Sequence, residues 1–287
     1  MRILVICLAL IASATVGAQS SGVAIELQSV EAANRALMPA INEACTAKKL
    51  PTNETIKQWL AAPLKVNLDL PKPNTAPLKP AEILVRSRKA MVRMGWHYLC
   101  KNCDNWHTSL AAGYAIAPGY VATCDHVIQV PDTMREGVFV CATADGKLIP
   151  VLGIVGHHGK LDAAILKVDS TDLVPIPLQP DAAPGDTAFL YSDPINVRGY
   201  FSTGIINRFF WQGDRPGNLG TLEGIASLRI NLSTDWAPGS SGAPLIDAYG
   251  NALGHVTTIS PVSQGQHPMF WTHEAVPARG ILKLLGR

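Results

Sequence analysis

The sequence predicts an all-β fold in which two six-stranded antiparallel barrels follow a helical N-terminal extension and precede a short C-terminal helix. Beyond residue 90 the chain consists of short apolar runs separated by Gly, Pro, Asn and Asp, a pattern typical of all-β domains. Before that point, residues 24–48 carry apolar side chains at helical spacing. Residues 278–285 predict the terminal helix. The number of runs fits two barrels, which we place at about residues 85–173 and 184–277.

The first 18 residues predict a secretory signal peptide. Arg2 supplies a positive charge, an apolar stretch runs from Ile3 to about Val16, and small residues precede a cut after Ala18. An uncleaved membrane anchor is the alternative. Since no later segment is apolar enough to cross a membrane, we expect a secreted or periplasmic protein with no membrane span after signal removal.

Residues 19–62 are expected to form the helical extension. Its first helix covers residues 24–48, and residues 55–62 predict a second, short helix. The apolar positions of the first helix include Ile25, Val30, Ala33, Leu37 and Ile41. Residues 63–84 follow as a linker, because their prolines favour an extended chain. We expect the extension to pack on the first barrel or to dock a partner, and an inhibitory prosegment is the alternative.

The β domain is expected over residues 85–287. Its strand-like runs are 91–94, 113–116, 120–123, 138–143, 149–155, 163–168, 187–191, 204–208, 227–232, 244–247 and 252–258. Turn-forming residues separate these runs, which favours antiparallel strands joined by short loops. The two barrels are expected to meet near residues 173–184.

The charge balance argues against a nucleic-acid partner. The chain has 24 basic and 22 acidic side chains, and removal of the signal peptide takes away one of the basic ones, Arg2. The resulting formal charge of about +1 gives no attraction to nucleic acid or to anionic membranes.

Residues 235–245 have the composition of a nucleophile loop. Ser241 is flanked by Gly239, Ser240 and Gly242, and an apolar run follows. A serine hydroxyl attacks a carbonyl only if it projects from a tight turn, has a base beside it, and meets N–H groups that bind the oxyanion. Because small polar residues form ordinary turns more often than active sites, this loop needs companions.

Two further segments supply candidate partners for Ser241. His126 follows the predicted strand pair of residues 113–123, and Asp162 directly precedes the predicted strand 163–168. The order His, Asp, Ser along the chain is that of the chymotrypsin-like enzymes. Asp125 is the competing acid, although neighbouring residues of an extended chain point to opposite faces.

Together these segments resemble the trypsin-like serine peptidases, and more closely the HtrA-type protease domain. Residues 113–127 resemble the family's GSGFIISPDGYIVTNAHVV, residues 161–168 its DLAVLKV, and residues 237–245 its NPGNSGGPL. Residues 199–206 and 275–277 resemble its TSGIVS and AIP segments. The resemblance covers about residues 85–287 in the family's order. It implies a chymotrypsin-like fold and, because the chain stops there, no PDZ module.

The resemblance implies an exported serine endopeptidase that acts on proteins or peptides through an acyl-enzyme. His126 would be the general base, Asp162 would orient its ring, and Ser241 would be the nucleophile. The backbone N–H groups of Gly239 and Ser241 match the oxyanion hole. No cofactor and no metal are expected. Ser240 stands where digestive enzymes carry an aspartate, which argues against activation by a new N-terminus.

The substrate pocket is less well defined by the sequence. Asp235 lies six residues before Ser241, the offset of the acid that gives trypsin its preference for Arg and Lys, but a loop-shaping role is favoured. By the family pattern Val256, rather than His255, lines the pocket. We assign Asp235, Trp236, Val256 and Thr257 to it, and apolar substrate side chains are favoured.

Five cysteines remain after signal removal, which suggests disulfides in an exported chain. The resemblance implies a bridge between Cys103 and Cys124, beside the base. The alternative uses Cys100 and Cys103 of a Cys-Lys-Asn-Cys segment, near His97 and His107, as a redox pair or a zinc site.

Two other function classes compete with the endopeptidase. One is a serine esterase or a peptidase that cuts only itself, which shares the triad. The other is a catalytically silent exported binding protein on the same fold.

Overall fold

The computed structural model describes residues 30–170, 172–213 and 215–287, and the side chains from residue 36 onward. The predicted signal peptide and Ile25 of the predicted first helix lie outside the described residues. Twelve strands and six α-helices are assigned within the described ranges. None of these helices is long and apolar enough to cross a membrane.

Three helices precede the strands. They are α1 (Val30–Thr46), α2 (Asn53–Ala61) and α3 (Pro80–Ala90). The third was not predicted, because the prolines of residues 63–84 favoured a linker. Pro80 is tolerated since it stands in the first turn, where its missing N–H leaves no bond unmade. The backbone N–H of Lys79 donates to Glu82 Oε2 at 2.7 Å and caps the helix start.

The first lobe is a six-stranded antiparallel sheet. Its strands are β1 (Met91–Cys100), β2 (Trp106–Ala117), β3 (Tyr120–Thr123), β4 (Met134–Thr143), β5 (Val151–His158) and β6 (Ala163–Val168), and the one-turn helix α4 (Asp125–Ile128) follows β3. Their order in the sheet is β4-β1-β2-β3-β6-β5. Among the described residues, only an isolated bridge between Ala142 and Leu148 joins the edges of the sheet, so this lobe is a half-open barrel.

The second lobe is a closed six-stranded barrel. It contains β7 (Thr187–Ser192), β8 (Tyr200–Trp211), β9 (Leu228–Leu232), β10 (Pro244–Ile246), β11 (Ala252–Gln264) and β12 (His267–Pro277), with the short helix α5 (Leu222–Ile225) before β9. The closed order is β10-β11-β12-β9-β8-β7. The terminal helix α6 (Ala278–Leu284) comes last. The predicted all-β fold class is confirmed, although β12 was not among the predicted strands.

Each lobe has its own apolar core, and a third cluster joins them. Phe139 and Ile154 lie in the first core, and Ile230 and Leu245 lie in the second. Between the lobes, Ile281 of α6 belongs to a cluster that draws strands from both. This shared core holds the lobes in one arrangement, so that a cleft between them has a defined geometry.

The N-terminal extension packs on the first lobe. Leu37 and Ile41 of α1 are buried against Val140 and Ala142 of β4. The backbone N–H of Leu64 also donates to Ile154 O at 2.7 Å. Burial of apolar side chains of this size contributes roughly 2 kcal/mol each, so the extension is part of the folded unit.

Candidate active site

His126 and Asp162 lie next to each other in the first lobe. His126 stands on α4, directly after β3, and Asp162 lies in the turn between β5 and β6. Nδ1 of His126 is 3.0 Å from Oδ1 and 2.9 Å from Oδ2 of Asp162. The backbone N–H of His126 donates to Oδ1 at 3.1 Å. One carboxylate therefore binds both the ring and the main chain of the histidine.

The second lobe holds Asp162 in place. The backbone of Asp162 is in the left-handed region, with φ of 61°, a conformation that costs a non-glycine residue about 1–2 kcal/mol. Nε2 of His255 lies 3.0 Å from the carbonyl oxygen of Asp162. The hydroxyl of Thr257 donates to Oδ2 of Asp162. These contacts stabilise a conformation that the turn alone does not favour.

The two partners shift each other's pKa. Burial alone would raise the pKa of Asp162, but the hydrogen bonds and charge of His126 and the hydroxyl of Thr257 hold it well below its usual range. Burial alone would lower the pKa of His126, but the hydrogen bond and charge of Asp162, with the charge of Asp125, leave it raised. The result is an ionised carboxylate and an imidazole that accepts a proton readily.

Asp125, the competing acid, faces away from the His126 ring. Its Oδ1 lies 2.9 Å from Nδ1 of His157, and its Oδ2 accepts a hydrogen bond from Gln129 Nε2 at 3.0 Å. The structure therefore brings Asp162, and not Asp125, to Nδ1 of His126.

Backbone hydrogen bonds fix the Ser241 loop to both lobes. The carbonyl of Ser241 accepts from the N–H of Ala112 in β2 at 2.8 Å, and the N–H of Gly242 donates to Val256 O at 2.8 Å. Oγ of Ser241 donates to the carbonyl of Thr257 at 3.5 Å. Thr257 thus contacts both Ser241, through its carbonyl, and Asp162, through its hydroxyl.

The residue before Ser240 adopts a conformation that requires glycine. Gly239 has φ of 100°, and a Cβ there would lie 2.8 Å from the carbonyl oxygen of Asp193. Among the hydrogen bonds of the described residues, neither the N–H of Gly239 nor that of Ser241 donates to a protein acceptor. Both N–H groups are therefore without a protein acceptor among the described residues.

A buried ion pair between Arg93 and Asp193 anchors residues 193–199, a loop that packs against the Gly239 backbone. Nε of Arg93 in β1 donates to Oδ2 of Asp193, and Oδ1 of Asp193 accepts from the N–H of Gly199 at 2.8 Å. The N–H of Ile195 in the same loop donates to the carbonyl of Pro238 at 2.7 Å. The first lobe is therefore connected to the Gly239 backbone through this loop.

A cavity of about 210 Å³ adjoins Gly239. Leu37 and Met38 of α1 form part of its wall, together with Arg93 and Asp193. The N-terminal extension therefore borders the candidate site instead of lying remote from it.

The four residues assigned to the substrate pocket lie in different surroundings. Asp235 is exposed and accepts a hydrogen bond from the Tyr200 hydroxyl at 3.2 Å. Trp236 is 3% exposed and Val256 is 1% exposed, and both belong to the core of the second barrel. The hydroxyl of Thr257 donates to Asp162. The assignment of all four residues to the pocket stays a prediction.

His255 and Arg229 support the candidate site, although no sequence motif marks them. Arg229 is buried on β9, and its Nη2 donates to the carbonyl of Lys160 at 2.8 Å, which anchors the turn that carries Asp162. His255 is fully buried, and burial lowers its pKa to about 4, so it stays neutral and bonds Asp162 through the ring. The available signal was a polar residue inside an otherwise apolar strand.

The predicted disulfide between Cys103 and Cys124 is wrong. Both cysteines are free, as are all those in the described residues. Cys124 is buried and its thiol donates to Val256 O at 3.0 Å, whereas Cys103 is exposed in the turn between β1 and β2. Cys103 lies before residue 106, where β2 begins, and Cys124 lies just after Ala122, which pairs with Tyr114 of β2. Residues 106–114 of β2 span about 26 Å at about 3.3 Å per residue, so the two cysteines lie far beyond the reach of a disulfide.

Two groups of side chains in the described residues have metal-ligating atoms within 4.8 Å of one another. The first is Cys124, His126 and Asp162. Nδ1 of His126 is engaged by Asp162 and the Cys124 thiol by a carbonyl, so these atoms already have protein partners. Burial raises the pKa of Cys124 well above its usual range, which disfavours the thiolate that a metal needs. The second group is Cys100, Cys103 and His107.

The chain is similar in sequence to several known proteins. The family model for the trypsin-like peptidase domain matches residues 111–254, half of the chain. The putative serine protease HhoB of Synechocystis sp. is 26% identical over 170 residues, which cover 57% of this chain and 38% of that protein. The probable periplasmic serine endoprotease DegP-like of Chlamydia pneumoniae is 27% identical over 158 residues, covering 53% of this chain and 29% of that protein. The chain thus spans less than half the length of these curated relatives.

Solved structures show the same fold. The HtrA-type protease AlgW with a tripeptide superimposes with a TM-score of 0.55 at 21% identity, over 73% of this chain and 63% of that one. The serine endoprotease from Yersinia pestis superimposes with a TM-score of 0.52 at 21% identity, over 74% of this chain and 67% of that one.

Proposed function

The chain belongs to the family of trypsin-like peptidase domains, and from that premise we propose that it is a serine endopeptidase acting on proteins or peptides. The contact between His126 and the ionised Asp162 carries this proposal. It supplies an oriented base at the edge of the first lobe, and Thr257 of the second lobe contacts both Asp162 and Ser241. An oriented base near a loop-borne serine is the arrangement that activates a hydroxyl nucleophile.

In the proposed reaction Ser241 Oγ attacks the carbonyl carbon of the scissile peptide bond. His126 takes the hydroxyl proton at Nε2, because Nδ1 is held by Asp162. The tetrahedral intermediate collapses when His126 gives this proton to the leaving amine, and the acyl group stays on Ser241. Water then attacks the ester through the same base, and Ser241 regains its proton.

The N–H groups of Gly239 and Ser241 are the proposed oxyanion donors. The positive φ of Gly239 and the lack of a described protein acceptor for either group support this role. One such donor contributes about 3 kcal/mol to transition-state stabilisation, so the conformation of the loop matters as much as the triad. The Asp193 loop, which packs beneath Gly239, would therefore affect the rate without touching substrate.

We further propose that the protein is exported. The basic and apolar N-terminus supports export, as does the similarity to a relative named as a probable periplasmic protein. Fractionation of expressing cells, with N-terminal sequencing of the product, tests this point. A mature chain that begins at Gln19 outside the cytoplasm is expected, and a full-length cytoplasmic chain would contradict it.

A fluorophosphonate probe tests the catalytic proposal directly. We expect one adduct, mapped by mass spectrometry to Ser241, that is lost in Ser241→Ala and in His126→Ala. Ser240→Ala removes the neighbouring hydroxyl and should keep the adduct. No adduct on folded protein would overturn the proposal and favour a silent binding protein.

A second measurement separates the enzyme classes that share the triad. The unlabelled parent protein is compared with Ser241→Ala on unstructured protein substrates and on simple esters. We expect cleavage of peptide bonds in trans. Ester hydrolysis without proteolysis would indicate an esterase, and cleavage confined to its own chain would indicate a self-processing peptidase.

A further inference from the structure

We propose that the tip of the β1–β2 hairpin is a zinc site formed by Cys100, Cys103 and His107. One ligand atom from each residue lies within 4.8 Å of the other two. Sγ of Cys103 is 3.1 Å from Nε2 of His107. Two thiolates and an imidazole are ligands that zinc prefers, and a single Zn²⁺ among them needs bonds of about 2.0–2.3 Å.

The hairpin itself brings these atoms together. The N–H of Cys100 donates to Asn105 O at 2.9 Å and closes the turn between β1 and β2. Asp104 lies in the left-handed region, with φ of 55°, so the chain turns back directly after the Cys-Lys-Asn-Cys segment. The arrangement is therefore local, and it forms whenever the hairpin pairs.

Contacts around the ligands suit a metal-bound state. The N–H of Asn102 donates to Sγ of Cys100 at 3.4 Å, the type of hydrogen bond that stabilises a ligating thiolate. The ring of His107 packs against Tyr98, with centroids 5.6 Å apart, and keeps Nε2 turned toward Cys103. The neighbouring carboxylate of Asp104 is paired with Arg135.

The burial of the three residues defines the open side. Cys100 is buried, whereas Cys103 and His107 are exposed. Three protein ligands leave one position of a tetrahedral zinc ion free, and here it faces solvent and takes a water molecule. Two thiolates balance the charge of Zn²⁺, so the occupied site is neutral. Binding releases one proton from each thiol and involves no redox step.

This site lies apart from the proposed catalytic groups. Ala112, which bonds Ser241, lies five residues beyond His107 along β2, or about 17 Å at about 3.3 Å per residue. We infer that zinc joins the ends of β1 and β2 at the hairpin tip and stabilises their pairing. The inference does not depend on peptidase activity, and it revises the expectation from sequence that no metal is bound.

The test uses the purified full-length protein, reduced and stripped of metal by a chelator. Cobalt(II) is titrated in as a coloured probe, and zinc is then added in competition. We expect one equivalent of cobalt, sulfur-to-cobalt charge-transfer absorption with tetrahedral ligand-field bands, and loss of both on addition of one equivalent of zinc.

Matched variants locate the site. Cys103→Ser and His107→Ala should each weaken zinc binding by more than about 100-fold, since loss of even an outer hydrogen bond to a ligand costs about 10–100-fold. Cys45→Ser and His267→Ala remove a cysteine and a histidine outside the group and should bind zinc as the parent does. Probe labelling and urea unfolding of each protein show whether it is folded.

Three results would overturn the zinc site. They are no cobalt binding to the reduced, folded protein, unchanged affinity in Cys103→Ser and His107→Ala, and a bound metal whose spectrum lacks sulfur ligation. A Cys100–Cys103 disulfide found by mass mapping, in a protein that still binds no metal after reduction, would establish the rival redox pair instead.

Discussion

Gly242→Ala should destabilise the protein by about 2–5 kcal/mol. Gly242 has φ of 82°, and a Cβ there would lie 2.2 Å from the carbonyl oxygen of Ala112 and 2.4 Å from Oγ1 of Thr123. The left-handed conformation costs a residue with a side chain about 1–2 kcal/mol. Displacing backbone that is already packed costs about 1–3 kcal/mol more. Because Ala112 also bonds Ser241, the displacement should reach the nucleophile loop.

Gly146→Ala is the matched control. Gly146 has φ of 93°, but a Cβ there would meet nothing within 4 Å. Gly146→Ala should therefore lower the free energy of unfolding only by the cost of the left-handed conformation, about 1–2 kcal/mol. Urea unfolding gives both values, provided that the slope with denaturant stays unchanged. Fluorophosphonate labelling should slow in Gly242→Ala and remain normal in Gly146→Ala.

Equal losses of stability in the two variants would refute the argument. Equal losses would mean that Ala112 and Thr123 move away from a side chain at position 242 at no cost in free energy. The close approach of Ala112 would then not position the nucleophile loop.

Four other predictions test the site. Asp162→Asn should slow labelling by about 10⁴-fold, because the ring loses its oriented partner. In the parent, labelling should rise with pH through a midpoint above about 6.5, since the pKa of His126 is raised despite its burial; a midpoint below that value would contradict the assignment. His255 is protonated near pH 6.5 when unfolded but near pH 4 when folded, where burial lowers its pKa. The free energy of unfolding should therefore fall as pH drops, by about 2 kcal/mol between pH 7 and pH 5, and His255→Gln should abolish this part in urea unfolding at both pH values. Arg93→Met and Asp193→Leu should each cost about 3–5 kcal/mol, because each leaves a buried charge unpaired, and the double variant should cost much less than their sum. An additive double-mutant cycle would show that the pair is not coupled.

Much of the fold could be predicted from local patterns. The strand β6 and the terminal helix α6 appear close to their expected bounds, because short apolar runs between turn residues specify local structure. The strand β12 was missed, since Met269, Phe270 and Trp271 at its exposed end break the alternation expected of a half-buried strand. Helix α3 was missed because the prolines of residues 63–84 favour a linker, although Pro80 stands where a helix accepts it.

The sequence by itself determined which segments carry the candidate site and in which order they occur. The sequence alone shows three local patterns: a serine near glycines at Ser241, a histidine after a strand at His126, and an acid before a strand at Asp162. Such patterns can be recognised without a structure because each depends only on neighbouring residues. Only the tertiary structure decided which side chains meet. Asp162 rather than Asp125 reaches the His126 ring, and the hydroxyl of Thr257 reaches Asp162 across 95 positions of the chain. Such contacts depend on how two lobes pack, and packing is set by the whole core and not by any one segment.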